Sequence, residues 1–237
     1  MTLADLHYSF SGTWSWLTTA AHWHGDRGIV HRIAETLVIS GDAVLIALAV
    51  GLPVGLLVGH TRKGTFLAVN TANIGRAIPS FAVLALGSQV LHIGFRPALL
   101  AMVFLAVPPI VTNTYVGITT VDRDAIEAAR GMGLSGRQIL FGVEVPLAIP
   151  LVMAGIRTAS VQVVATSTLA AVVAFGGLGR YVVDGIGQPD APQLVGGCLL
   201  VAALALATEI LLGQAQRLLT PKGLRTGMSV RPGDLPL

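Results

Sequence analysis

Long apolar runs with sparse polar interruptions fill the chain between residues 36 and 213. A bilayer core about 30 Å thick needs about 20 apolar residues per helix. Five runs are long enough: 36–59, 66–91, 97–119, 147–175 and 194–213. Each holds at most one acid or base: Asp42, Arg76, none in the third, Arg157 and Glu209. Only a helix satisfies its own backbone in lipid over such lengths. The pattern therefore predicts an all-α transmembrane bundle of five helices spanning residues 36–219. The connections are short except for 120–146, which is amphipathic and charge-rich.

Polar residues inside the runs are informative. Thr158, Gln162 and Thr166 recur every four residues and are expected to share a helix face. Ser160, Ser167 and Thr168 extend that polar patch, and Thr112, Asn113, Thr114 and Tyr115 add to it from the third run. Such a patch either bonds helices together or lines a hydrated solute path. Arg76 falls near mid-membrane, where a lone Arg costs about 3 kcal/mol, so it must face protein or water. Pro53, Pro79, Pro108 and Pro109 each remove a backbone donor. They produce static kinks, or a hinge with freed carbonyls along a cavity. Gly51, Gly55 and Gly59 form a row that lets a neighbouring helix approach closely.

Composition narrows the class. Apolar residues make up 53% of the 237 and charged residues only 11%, against roughly 25% charge in a soluble domain. The mean hydropathy of +0.75 argues against a soluble enzyme. A net charge of +3 gives no footprint for nucleic acid. Cys198 is the single cysteine, so no intrachain disulfide or cysteine-based metal cluster can form. The first 26 residues hold no Lys or Arg and no signal-peptide core. Residues 1–35 are expected to form an interfacial segment in which Trp14, Trp16 and Trp23 anchor at headgroup level. The alternative for these three is an aromatic cage for a cation.

Lys and Arg set the orientation. One side of the bundle holds 60–65, 120–146 and 214–237, with nine basic residues; the other side has four. The richer side is cytoplasmic. The N-terminus is then outside, and the long connection and the tail 220–237 are inside. Asp122 and Asp124 sit where a helix N-terminus would favour them, Gly131 and Gly133 can stop that helix, and Ser135 can cap a second one. Pro146 is expected to break the chain just before the fourth span. Ala128 and Ala129 are expected to offer a low-relief face on which a cytoplasmic partner docks.

The segment 127–146 resembles the EAA loop of permease subunits of ATP-binding-cassette importers. The pattern is Glu, Ala, Ala, three residues, Gly, nine residues, then aliphatic, any residue, aliphatic and Pro. Here those are Glu127, Ala128, Ala129, Gly133, Val143, Val145 and Pro146, with Val where the family usually has Ile and Leu. The runs RAIPSFAVLALGS (76–88), LAIPLVMAGIRTASVQVVATSTLAAVV (147–173) and FGGLGRYVVDGI (175–186) are similar to osmoprotectant permeases. Many relatives have Gln-Thr where Arg76-Ala77 stands.

The resemblance implies a five-helix type I importer permease bundle with a cytoplasmic coupling helix. It implies import of glycine betaine, choline or carnitine. ABC ATPase subunits, an extracytoplasmic solute-binding protein and a second permease subunit would be the partners. Glu127, Ala128, Ala129, Gly133, Val143 and Pro146 would couple to the ATPase. Gly176, Gly177 and Gly179 would form the outer gate. Arg76, Pro79, Asn113, Thr158, Gln162 and Thr166 would belong to the translocation path. No G-x-x-x-x-G-K-[ST] phosphate loop occurs in the chain, so ATP hydrolysis is expected on a separate chain, and no cofactor or metal is expected here. Two alternatives remain open at this point: an amino-acid permease of the methionine type, and an ion-coupled secondary transporter using Arg76, Asp42 and Glu209.

Overall fold

The computed structural model describes residues 3–63, 70, 80–173 and 176–221. All regular structure among the described residues is helical. In chain order the helices are α1 (Leu3–Thr18), α2 (Ile29–Thr61), α3 (Ser80–Leu91), α4 (Phe95–Thr119), α5 (Arg123–Gly131), α6 (Gly136–Ile139), α7 (Val145–Thr166), α8 (Gly179–Gly187) and α9 (Ala191–Leu219). A π-turn, Leu140–Glu144, joins α6 to α7, and a 3-10 segment, Ser167–Val173, continues α7. Four helical runs are long and apolar enough to cross a membrane: Ile29–Thr61, Phe95–Thr119, Gly136–Val173 and Ala191–Leu219. The second expected span, 66–91, is represented by α3; its earlier part, with Arg76 and Pro79, lies outside the described residues.

The helices overrun the apolar stretches that announce them. α2 has 33 residues, about 50 Å at 1.5 Å per residue. It begins at Ile29 rather than near residue 36, because hydropathy marks the part immersed in lipid. The extra turns carry His31, Arg32 and Glu35, which pair with one another at i, i+3 and i, i+4.

Small residues set the helix packing. A Cβ on Gly51 would lie 2.9 Å from Ile110 Cγ2, one on Gly55 2.6 Å from Thr114 Cβ, and one on Gly59 2.8 Å from Ile118 Cβ. The expected glycine row thus forms the α2–α4 seam, with Ile110, Thr114 and Ile118 entering at matching four-residue steps. α4 then packs on α7, where Gly155 meets Asn113 and the Pro109 carbonyl. The main core gathers Ile39, Ala43, Ala47, Leu84, Met102, Ile110 and Val163. α9 lies against α7 and α8, and α1 against α9.

Trp16 resolves one of the open choices. Its ring sits over Gly196 and meets Tyr181 edge-on at 5.1 Å and His22 at 4.8 Å. Trp14 is exposed and Trp23 donates its indole N–H to the Leu17 carbonyl at 2.7 Å. The three rings build no cage.

The helical path does not break at Pro146. Gly136–Val173 is one run of 38 residues. A proline inside an α-helix clashes with the carbonyl four residues back, here Gly142. The π-turn widens the helix over those residues and gives the ring room.

Candidate functional site: the 120–146 loop and the 176–179 turn

α5 is capped by Asp122, whose carboxylate accepts the Asp124 backbone N–H at 3.0 Å. Its inner face carries Ile126 and Ala129, which pack with Val121, Ile139, Leu134 and Val143 into a small separate core. Glu127 and Ala128 stand exposed on the other side. Ala129 is therefore not on the open face with Ala128, being only 2% exposed. Consecutive residues on a helix diverge by about 100°. Gly133 turns the chain at φ +84, a value that suits glycine. Its N–H reaches the Arg130 carbonyl at 2.9 Å, and the Leu134 N–H reaches Ala129 at 3.2 Å. Gln138 Oε1 then accepts from both the N–H and the hydroxyl of Ser135, each at 2.8 Å. The loop is thus a preformed knob with its own core.

Sequence reasoning missed how this knob is tied to the first span. Glu144, in the π-turn, is 3% exposed and lies 2.5 Å from His60 Nδ1, in the last turn of α2. The same imidazole lies against Gly136, whose added Cβ would be 3.4 Å from Nε2. A recess of about 320 Å³ beside the pair is lined by Arg62, Arg123, Glu127 and Arg130. Nothing in the spacing of His60 and Glu144, 84 residues apart, announced that contact. A lone acid between a charged loop and an apolar span was the available clue.

At the other end of α2 the glycine turn is also held by that helix. Gly177 adopts φ +82 and donates its N–H to Glu35 Oε2 at 2.7 Å. The Leu178 N–H reaches Thr36 Oγ1 at 2.9 Å. The Glu35 carboxylate rests on Gly176, where a Cβ would collide with it, and also takes Arg32 Nη1 at 2.8 Å. Gly179 abuts the Thr168 backbone. Next to this turn Tyr181 donates its hydroxyl to the Arg27 carbonyl at 2.6 Å. Burial pushes the Tyr181 phenol above its usual range; Arg32 opposes that and Glu35 adds to it. The hydroxyl therefore stays a donor.

The polar patch of the fourth span divides. Thr158 and Gln162 are exposed on α7. Thr166 instead turns inward and lines a small apolar cavity with Leu84, Ala98 and Met102. Each four-residue step advances about 40° around a helix, so a row of three leaves the face it starts on. Ser160 and Ser167 bond to their own helix, at Ile156 and Val164 carbonyls. Asn113 donates to the Pro109 carbonyl at 2.8 Å. Arg157 and Glu209 form a pair at 3.2 Å across α7 and α9. Gln216 joins that pair by accepting from Arg157 at 3.1 Å and donating to the Pro150 carbonyl at 2.8 Å.

A bundle of apolar helices carrying a compact knob between α4 and α7 defines a class that the comparisons identify. Residues 51–223 match the family described as "Binding-protein-dependent transport system inner membrane component". The chain belongs to that family, and so is a multi-pass membrane protein and a transport subunit. It is 36% identical over 197 residues to the glycine betaine/carnitine/choline transport system permease protein OpuCB of Bacillus subtilis, covering 83% of this chain and 91% of that one. Identity to the carnitine transport permease protein OpuCB of Listeria monocytogenes is 37%, covering 81% and 88%. The choline transport system permease protein OpuBB of B. subtilis is 34% identical, covering 83% and 91%. Among solved structures, the fold is similar to inward-facing conformations of the MetNI methionine ABC transporter, with a TM-score of 0.72 at 24% identity over 81% of this chain and 96% of that one. An amino acid ABC transporter gives a TM-score of 0.61 at 18% identity, covering 92% and 97%.

Proposed function

We propose that this chain is the membrane-spanning subunit through which an ATP-driven importer passes an osmoprotectant such as glycine betaine, choline or carnitine. The observation that carries this is the knob 122–146. Its buried face, cap and φ-positive turn make it rigid, and its exposed Glu127 and Ala128 leave a ridge that none of the described residues covers. Glu127, Ala128 and Gly133 are the coupling positions; Ala129, Val143 and Pro146 support them from beneath. A separate ATPase grips the ridge from the cytoplasm. An extracytoplasmic receptor delivers solute at the opposite face, and a second permease subunit completes the path. Thr158 and Gln162 line that path from this chain, with Asn113 beside them and Arg76 and Pro79 assigned to it from the sequence alone. Gly176, Gly177 and Gly179 form the outer gate.

The solute class is favoured by the names of relatives above 30% identity. The methionine-type alternative has only fold-level likeness behind it. Physically, ATP-driven closure of the ATPase pair favours the outward-open arrangement by differential contact with the knobs. The test is solute binding by the receptor encoded beside this chain, followed by uptake in proteoliposomes holding the full assembly. Binding and uptake of betaine, choline or carnitine are expected. Preference for methionine, or uptake that persists without the ATPase, would overturn the proposal.

A further inference from the structure

We infer that α2 is a strut joining the cytoplasmic knob to the outer glycine turn, with His60 and Glu35 as the positioning residues at its two ends. This rests on the coupling role proposed for the knob and adds residues outside the 127–146 motif.

At the cytoplasmic end, His60 Nδ1 meets the buried Glu144 of the π-turn at 2.5 Å, and a Cβ added at Gly136 would lie 3.4 Å from the Nε2 of the same ring. Such turns often occur at functional positions. A buried carboxylate with one close partner leaves that partner little freedom, since the bare charge is costly there. Any displacement of α6 and the π-turn is therefore imposed on the end of α2.

At the outer end, the bonds run directly to main chain. Glu35 Oε2 takes the Gly177 N–H and Thr36 Oγ1 takes the Leu178 N–H. Thr36 is in turn fixed by donating to the Arg32 carbonyl at 2.9 Å. The two residues hold successive amides of one turn, so the turn follows α2.

From Glu35 to His60 the helix is continuous, and it carries one to the other over about 37 Å. Pro53 removes one internal bond. Gly51 and Gly55, on either side of it, are pressed against Ile110, Thr114 and Val111 of α4, so the weak point is braced. A rigid element with specific attachments at both termini is one physical means of carrying a shift between distant sites.

Links in series give a distinctive signature. Breaking either one loses the transmission, so breaking both costs no more than breaking the worse. The test uses the assembled importer in proteoliposomes and measures the ratio of receptor-stimulated to receptor-free ATP hydrolysis. His60→Ala and Glu35→Ala are each expected to lower the ratio roughly tenfold, an ordinary size for allosteric coupling. The double variant is expected to match the lower single. Glu144→Gln and Glu35→Gln, which keep shape and hydrogen-bonding capacity, serve as second variants where an alanine variant does not assemble; Glu144→Gln is expected to lower the ratio by less than His60→Ala, and Glu35→Gln by less than Glu35→Ala. Effects that multiply in the double variant, or a ratio unchanged in the singles, would overturn the strut. An unmodified importer showing no receptor stimulation would instead count against the coupling role itself.

Discussion

Glu127 and Gly133 share one motif but do different physical work. Glu127 presents a charge on an exposed ridge, so Glu127→Lys is expected to abolish uptake while membrane insertion and yield stay normal, as read by transport in vesicles and by membrane-fraction blotting. Gly133 supplies a backbone conformation. A Cβ there meets nothing within 4 Å, so Gly133→Ala costs only what φ +84 imposes, about 1–3 kcal/mol. Gly131, equally open and with an ordinary φ, should tolerate alanine within experimental error. Thermal unfolding of the two variants side by side checks this contrast. On α7, Gln162→Ala is expected to change uptake kinetics without loss of expression. Unchanged kinetics would remove Gln162 from the path.

For the helices, the α2–α4 seam is where packing leaves least tolerance. Gly55→Val places two methyl groups where even a Cβ meets Thr114 at 2.6 Å, and a destabilisation of about 1–3 kcal/mol is expected from overpacking. Gly41→Val, at an open position of the same helix, is expected to be near neutral. Melting temperatures in detergent measure both. This seam was legible in the sequence because a four-residue glycine row is a local pattern. The knob was legible for a similar reason: Asp122, Gly133 and Ser135 are local stop and start signals, and all three act as such in the structure. The ends of α2 were not. Their partners lie 84 and 142 residues away, and periodicity carries no record of what a side chain meets across a bundle. Pro146 misled for a different reason. A proline signals a missing donor, and only the backbone shows whether a helix ends there or widens to pass it. The short α8 and the full length of α1 likewise follow from packing on α9, which hydropathy does not report.

Across the whole molecule the knob and the glycine turn are at opposite ends of the 33-residue α2, one beside His60 and the other beside Glu35. The excess of Lys and Arg on the knob's side favours placing that side in the cytoplasm, which accessibility labelling tests. In a Cys198→Ser background, Ser135→Cys is expected to react with an impermeant maleimide only in inside-out vesicles. Asp26→Cys is expected to react only from the outside of intact cells. The reverse labelling would put the knob out of reach of a cytoplasmic ATPase and overturn its coupling role.

The π-turn has a consequence for how this chain tolerates insertions and deletions. The widened turn takes up one surplus residue, so everything before Leu140 keeps toward everything after Glu144 the rotational phase of an unbroken α-helix. Deleting one residue inside it would let the segment close into a plain α-helix with that phase unchanged, but would remove the room the Pro146 ring has beside the carbonyl four residues back. A deletion elsewhere in the same helical run, with no bulge to absorb it, would instead swing the knob by about 100° around the axis and leave the handle pointing the wrong way.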